Sequence, residues 1–125
     1  MCAEILQSKT GGNKLVFACS GAADVGGISD QAARKLAAET PLSLCCTAAV
    51  AAEIPAILQR AKEADAILAI DGCNQKCARK ILEQAGLSVS THIELGNLGM
   101  DKGKSPCTFV RVAMTAQCAR DACGI

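Results

Sequence analysis

Four cysteines in this 125-residue chain follow short apolar runs, each at the point where a strand is expected to end. They are Cys19, the adjacent pair Cys45 and Cys46, and Cys73. A fifth, Cys77, follows Cys73 after three intervening residues, where a helix is expected to be under way. Thiolates bind metals and carry out nucleophilic and redox chemistry. The ends of these strands are therefore the first place to look for a functional site.

The segments that would position these cysteines alternate between strands and helices. Strands are predicted at 14–19, from 42 to 45 or 46, and at 66–70 and 87–95, and helices at 28–39, 52–64, 74–85 and 105–120. Such alternation predicts an α/β fold with three layers, a Rossmann-like parallel sheet of about four strands in the order 2-1-3-4, and helices on both faces. The length suits a single domain over residues 1–125.

The predicted strand order brings the cysteines to one edge of the sheet. Neighbouring strand ends would lie about 4.8 Å apart and the outer pair about 10 Å apart. A tetrahedral zinc ion needs sulfurs about 3.8 Å from one another, which loops leaving three adjacent strands can supply. Cys46 is favoured over Cys45 because it would fall in the loop after the strand. We therefore predict Zn²⁺ as the cofactor and, as its ligands, Cys19, Cys46, Cys73 and Cys77. The alternative for each cysteine is that it is a small buried apolar residue.

Four stretches of the sequence carry a resemblance to a known family. They are "ACSGAADVGGISDQAARKLAAE" at 18–39, "CCTAAV" at 45–50, "ILAIDGCNQKCARKILEQAG" at 67–86 and "ELGNLGMDK" at 94–102. With these stretches the chain resembles the DGC-domain family, small bacterial and archaeal proteins named for an Asp-Gly-Cys motif and regarded as zinc-binding. The resemblance implies the same ligands, Cys19, Cys46, Cys73 and Cys77. It implies metal binding and leaves the biological role open.

Other thiol chemistry competes with metal binding. The segment from Cys73 to Arg79 fits Cys-x5-Arg, the loop with which thiol phosphatases and arsenate reductases hold an oxyanion. Lys80 stands where a Ser or Thr usually assists the thiolate, and no Asp-Pro pair offers a general acid. Cys73 and Cys77 could instead form a redox pair, although their spacing departs from Cys-x-x-Cys. A cysteine-ligated iron–sulfur cluster is a further alternative. No catalytic residue is assigned.

Several other polar residues receive structural predictions. Asp24 is expected to cap a helix, and Asp71 either to orient amides around the metal site or to be an ordinary strand-end residue. His92 alternates with polar neighbours, so we predict a surface histidine and exclude it from the ligands. In the last helix a stripe at helical spacing predicts a core-facing side. That stripe is Cys107, Val110, Met114 and Cys118.

Composition limits the partners that the protein is expected to bind. A formal net charge of +1 gives no electrostatic case for nucleic acid. The most apolar tract is interrupted by Glu53 and Pro55, so no membrane span is expected. Nine cysteines, an odd number, without a secretion signal favour a cytoplasmic protein with reduced or metal-bound thiols. If only three thiols bind the metal, the open position could accept a small anion, a thiol or a partner protein's ligand.

Overall fold

A computed structural model describes residues 13–125; the first twelve residues of the predicted domain lie outside the described residues. The strands are β1 (Lys14–Ala18), β2 (Ser43–Leu44), β3 (Ala66–Asp71) and β4 (Thr91–Glu94). The α-helices are α1 (Asp24–Glu39), α2 (Thr47–Ala51), α3 (Pro55–Lys62), α4 (Cys77–Gln84) and α5 (Phe109–Cys123), and a 3₁₀ turn spans Leu95–Leu98. All strand pairs are parallel and the order is β2-β1-β3-β4. The predicted fold and strand order are confirmed.

Two apolar cores lie on opposite faces of this sheet: the α1–α5 core, formed with helices α1 and α5, and the α2–α4 core, formed with helices α2, α3 and α4. Successive residues of a strand point to opposite faces, so Val16 packs with α1 and α5 while its neighbour Phe17 packs with α2 and α4. On β3, Leu68 packs in the α1–α5 core and its neighbour Ala69 packs in the α2–α4 core. Both faces of the sheet are covered by helices. Because all strands are parallel, their carboxyl ends lie at one edge of the sheet, between the two helical layers.

The helix predicted at 28–39 begins four residues earlier, at Asp24. Gly26 and Gly27 favour a loop in the sequence, yet both lie in the first turn of α1. A Cβ on Gly26 would lie 2.5 Å from the Gly21 carbonyl oxygen, so only glycine fits where the helix meets the loop after β1. Tertiary packing therefore outweighs local helix propensity at this position.

The stripe predicted to face the core from the last helix is wrong. Val110 and Met114 are 64% and 48% exposed, and Cys107, which precedes α5, is exposed as well. The buried face of α5 consists of Val112, Thr115, Ala116 and Ala119. These smaller residues allow α5 to pack closely beside α1, and the larger apolar side chains turn to solvent. Among residues 13–125, no helix has the length and apolar character needed to cross a bilayer.

Asp24 ties the segment before α5 to the start of α1. Its carboxylate accepts hydrogen bonds from the amides of Gly103 and Ser105, both at 2.9 Å, and of Val25 at 2.8 Å. The bonds from Gly103 and Ser105 are the main reason that the pKa of Asp24 is lowered from its ordinary value of 3.8.

We expect this tie to weaken only in strong acid. Because the folded-state pKa of Asp24 lies below the unfolded value, the bonds stabilise the fold above pH 3.8 and are lost as pH falls through the folded pKa. The amide resonances of Gly103 and Ser105 should therefore titrate together with a midpoint below 3.8. Asp24→Asn should abolish that titration. A midpoint at or above 3.8 would contradict the assignment.

Candidate metal centre

The main chain of Cys19 is held at the end of β1 by two neighbouring elements. Its amide donates to the Ile70 carbonyl at 2.9 Å, and the buried Ser29 hydroxyl of α1 donates to its carbonyl. The half-buried Cys19 thiol lies beside Gly21, where a Cβ would be 3.4 Å from Sγ. Cys19 is therefore held in a fixed backbone position with its thiol facing a loop that leaves it space.

The adjacent cysteines after β2 have opposite environments. Cys45 is 6% exposed, its amide donates to the Val16 carbonyl at 2.9 Å, and its side chain packs in the α2–α4 core. Burial raises the pKa of the Cys45 thiol, partly offset by the positive charge of Arg60. Cys46 is exposed and directly precedes α2. Cys46 is therefore the accessible thiol of the pair.

Asp71 determines where helix α4 begins. Its carboxylate, 1% exposed, accepts hydrogen bonds from the amides of Ala78 at 2.8 Å and Arg79 at 3.2 Å. These amides have no partner within the helix, so the carboxylate caps its first turn. Lys76 adopts a positive φ of 55° just before the helix, and Cys77 becomes its first residue. The Asp-Gly-Cys motif thus contributes a capping carboxylate as well as a thiol.

Sequence analysis also misjudged His92. The predicted surface position is wrong, because its side chain is 13% exposed and its Nε2 lies 2.8 Å from Asp71 Oδ2. Its Nδ1 lies 3.5 Å from Nη1 of Arg79. In the parallel register Glu94 is opposite Asp71, so His92, two residues earlier, projects from the same face. The β3–β4 register was the signal that could have found this pair.

Three of the four predicted ligands line one cavity. We call it the thiol cleft; it has a volume of about 640 Å³, and its cysteines are Cys19, Cys45, Cys46 and Cys77. Cys73 lines a separate cavity of about 380 Å³ and packs toward the α1–α5 core. Within residues 13–125, no three His, Cys, Asp or Glu side chains are close enough to hold a metal ion together. The structure gathers Cys19, Cys46 and Cys77 around one cleft and leaves Cys73 outside it.

The first turn of α1 contacts both loops that carry the central cysteines. Gly26 approaches Gly21, two residues after Cys19. On the other loop, a Cβ on Gly72 would lie 2.8 Å from the carbonyl carbon of Val25. Glycine is therefore required on both sides, and α1 sets the spacing between the segments that carry Cys19 and Cys73.

Comparison with known proteins identifies the family. The DGC-domain model matches residues 15–120, which include every predicted ligand. The chain belongs to the DGC-domain family. This DGC domain is also 31% identical, over 88 residues, to the anaerobic and virulence modulator AnvM of Pseudomonas aeruginosa, a match that covers 70% of this chain and 67% of AnvM. No solved structure matches the chain.

The geometry of this DGC domain disfavours an oxyanion loop of the Cys-x5-Arg type. Asp71 already occupies the amides of Ala78 and Arg79, which such a loop would offer to its substrate. The Arg79 side chain contacts Glu83 at 3.4 Å and His92 at 3.5 Å. An anion at the start of α4 would be repelled by the Asp71 carboxylate, which already accepts from the helix amides. The Cys73 thiol, which would be the nucleophile, lines a different cavity from the thiol cleft.

Proposed function

We propose that this domain binds zinc through Cys19, Cys46 and Cys77, with Cys73 as a fourth ligand once the turn at 72–76 rearranges. The observation that carries the proposal is that three predicted ligands line the same cleft. Thiolates are preferred zinc ligands, so the donor set suits the metal. Zinc would draw the three thiols closer together around the ion.

The thiol cleft contains positively charged side chains as well as thiols. Arg34 and Arg60 line the same cleft and would reduce the net negative charge of a thiolate site. Bound zinc would crosslink three loops at the sheet edge, or act as a Lewis acid where one coordination position stays open.

A regulatory role is proposed together with zinc binding. AnvM is named as a modulator, and a zinc site formed from the half-buried Cys19 and the exposed Cys46 and Cys77 would change the shape of this edge when metal is gained or lost. The candidate partners are therefore a protein that recognises the edge, or a small anionic or thiol ligand at an open coordination position. A reducing cytoplasmic setting suits such a site because it keeps the thiols available.

Elemental analysis of the full chain, purified without oxygen, tests the zinc proposal. About one zinc per chain is expected. Cys19→Ser, Cys46→Ser and Cys77→Ser should each lose most of the metal, whereas Cys45→Ala and Cys118→Ala are controls that should keep it. Wild-type protein that stays free of zinc when zinc is supplied would contradict the proposal. Iron and sulfide with a brown colour would indicate an iron–sulfur cluster instead.

Cys73→Ser separates a three-cysteine site from a four-cysteine site. If the turn at 72–76 rearranges, this variant should lose zinc as fully as Cys77→Ser does. If Cys73 remains in its own cavity, the variant should retain the zinc. Retention would identify Cys19, Cys46 and Cys77 as the complete protein ligand set, with one open position.

A further inference from the structure

The thiol cleft continues past its cysteines along an apolar wall. Its volume of about 640 Å³ falls within the range of about 300–1,000 Å³ that is typical of small-molecule sites. The wall is built from three elements: Leu44 of β2, Ile57 of α3, and Ala78 and Ile81 of α4. A ligand with a short hydrocarbon body would find apolar contacts here that zinc coordination does not use.

The two arginines of the cleft differ in how their charges are balanced. Arg34 is paired with Asp30 at 3.0 Å, and Asp30 also accepts a hydrogen bond from the Ser20 hydroxyl at 2.8 Å. Arg60 lines the same cleft, and among residues 13–125 no carboxylate forms an ion pair with its guanidinium. Arg60 lines this cleft together with Cys45 and the apolar side chains of Ile57 and Ile81.

A half-buried cation that forms no ion pair with a carboxylate of residues 13–125, set beside an apolar wall, is suited to an amphiphilic anion. The guanidinium can bind a carboxylate through two parallel N–H bonds, which are stronger than neutral hydrogen bonds. The hydrocarbon part of the ligand would gain from leaving water against Ile57 and Ile81. A neutral molecule of the same length would gain only the second contribution.

We propose that the thiol cleft binds a small organic acid, with its carboxylate on Arg60 and its hydrocarbon body against Leu44, Ile57 and Ile81. This inference concerns the arginine and the apolar wall, so it does not depend on the zinc site. A cleft that holds thiols and an acid-binding arginine would let an organic acid influence the same edge of the sheet that the thiols occupy.

Octanoate is the probe, titrated into the full, reduced, chelator-treated chain and followed by amide chemical shifts. Shifts are expected at Ile57, Arg60 and Ile81, on both sides of the cleft. 1-Octanol, which has the same chain and no charge, should bind about tenfold more weakly or worse, because it lacks the charged hydrogen bonds. Arg60→Gln should weaken octanoate binding by a similar factor.

Lys62→Gln is the matched control, since it removes the same charge from the same helix at an exposed position that lines a different cavity. It should leave octanoate binding unchanged. The proposal is overturned if millimolar octanoate shifts no amide of the cleft, if 1-octanol binds as well, or if Arg60→Gln binds as tightly as wild type. Arg60→Lys, which keeps the charge, should retain part of the affinity. A protein that takes up no zinc but binds octanoate would contradict only the zinc proposal.

Discussion

Asp71→Ala is expected to lower the free energy of unfolding by about 3 kcal/mol. The substitution removes a carboxylate that is 1% exposed and that accepts hydrogen bonds from two helix amides and from His92. The Ala78 amide would then be left buried without its partner, which costs more than the bond itself contributes. Urea denaturation of wild-type and variant protein measures the change.

Two further variants show whether the loss comes from these hydrogen bonds. Asp71→Asn keeps the size of the side chain but cannot accept with both of its terminal atoms, so a loss of about 2 kcal/mol is expected. Glu83→Gln removes a charge that pairs with Arg79 on the exposed side of α4, and should change stability by less than about 0.5 kcal/mol. A loss below about 1 kcal/mol for Asp71→Ala would show that the carboxylate does not hold the start of α4.

Gly26→Ala is expected to destabilise the fold by about 2–3 kcal/mol. The added methyl group would lie 2.5 Å from the Gly21 carbonyl oxygen and 2.8 Å from the Gly21 nitrogen, so main chain rather than a flexible side chain must move. That movement shifts the loop after Cys19, and zinc affinity should fall with stability. Chemical denaturation and zinc titration of the same sample test both effects.

Gly27→Ala is the control for Gly26→Ala. It lies one residue further along α1, and its Cβ would make an ordinary contact of 3.8 Å with Cys107. Since alanine is the better helix former, this variant should be more stable than wild type by about 0.5–1 kcal/mol. If both substitutions destabilise equally, general sensitivity of the helix start would explain the loss, and the close approach to Gly21 would not.

The fold could be predicted because its apolar runs are short, continuous and separated by amphipathic helices. That pattern is enough for a parallel sheet in the order 2-1-3-4, which the structure confirms. The ends of elements were less predictable. The fourth strand, expected over 87–95, shortens to Thr91–Glu94, and an unexpected helix α2 forms at Thr47–Ala51. Pairing and packing decide these ends, and neither can be read from local propensity.

The candidate site shows the same division between what is local and what is tertiary. Position at strand ends predicted that Cys19, Cys46 and Cys73 lie together, and of these Cys19 and Cys46 line the thiol cleft, together with Cys77, which was predicted from its spacing to Cys73. The helix expected over 74–85 would have placed Cys77 one turn after Cys73. The helix instead begins at Cys77, because Asp71 caps amides further along the chain, so the two thiols separate. The contact of Asp71 with His92 depended on strand register, which no local motif encodes.

The central place of β1 has a consequence for synthesis of the chain. β1 (Lys14–Ala18) pairs on one edge with β2 and on the other with β3, whose residues follow about fifty positions later. Until β3 has left the ribosome, a nascent chain presents an apolar strand with one unpaired edge. Such an edge invites pairing with other chains. A stall in translation between α2 and β3 should therefore produce aggregated fragments, whereas a stall after β3 should produce a collapsed intermediate that already contains the centre of the sheet.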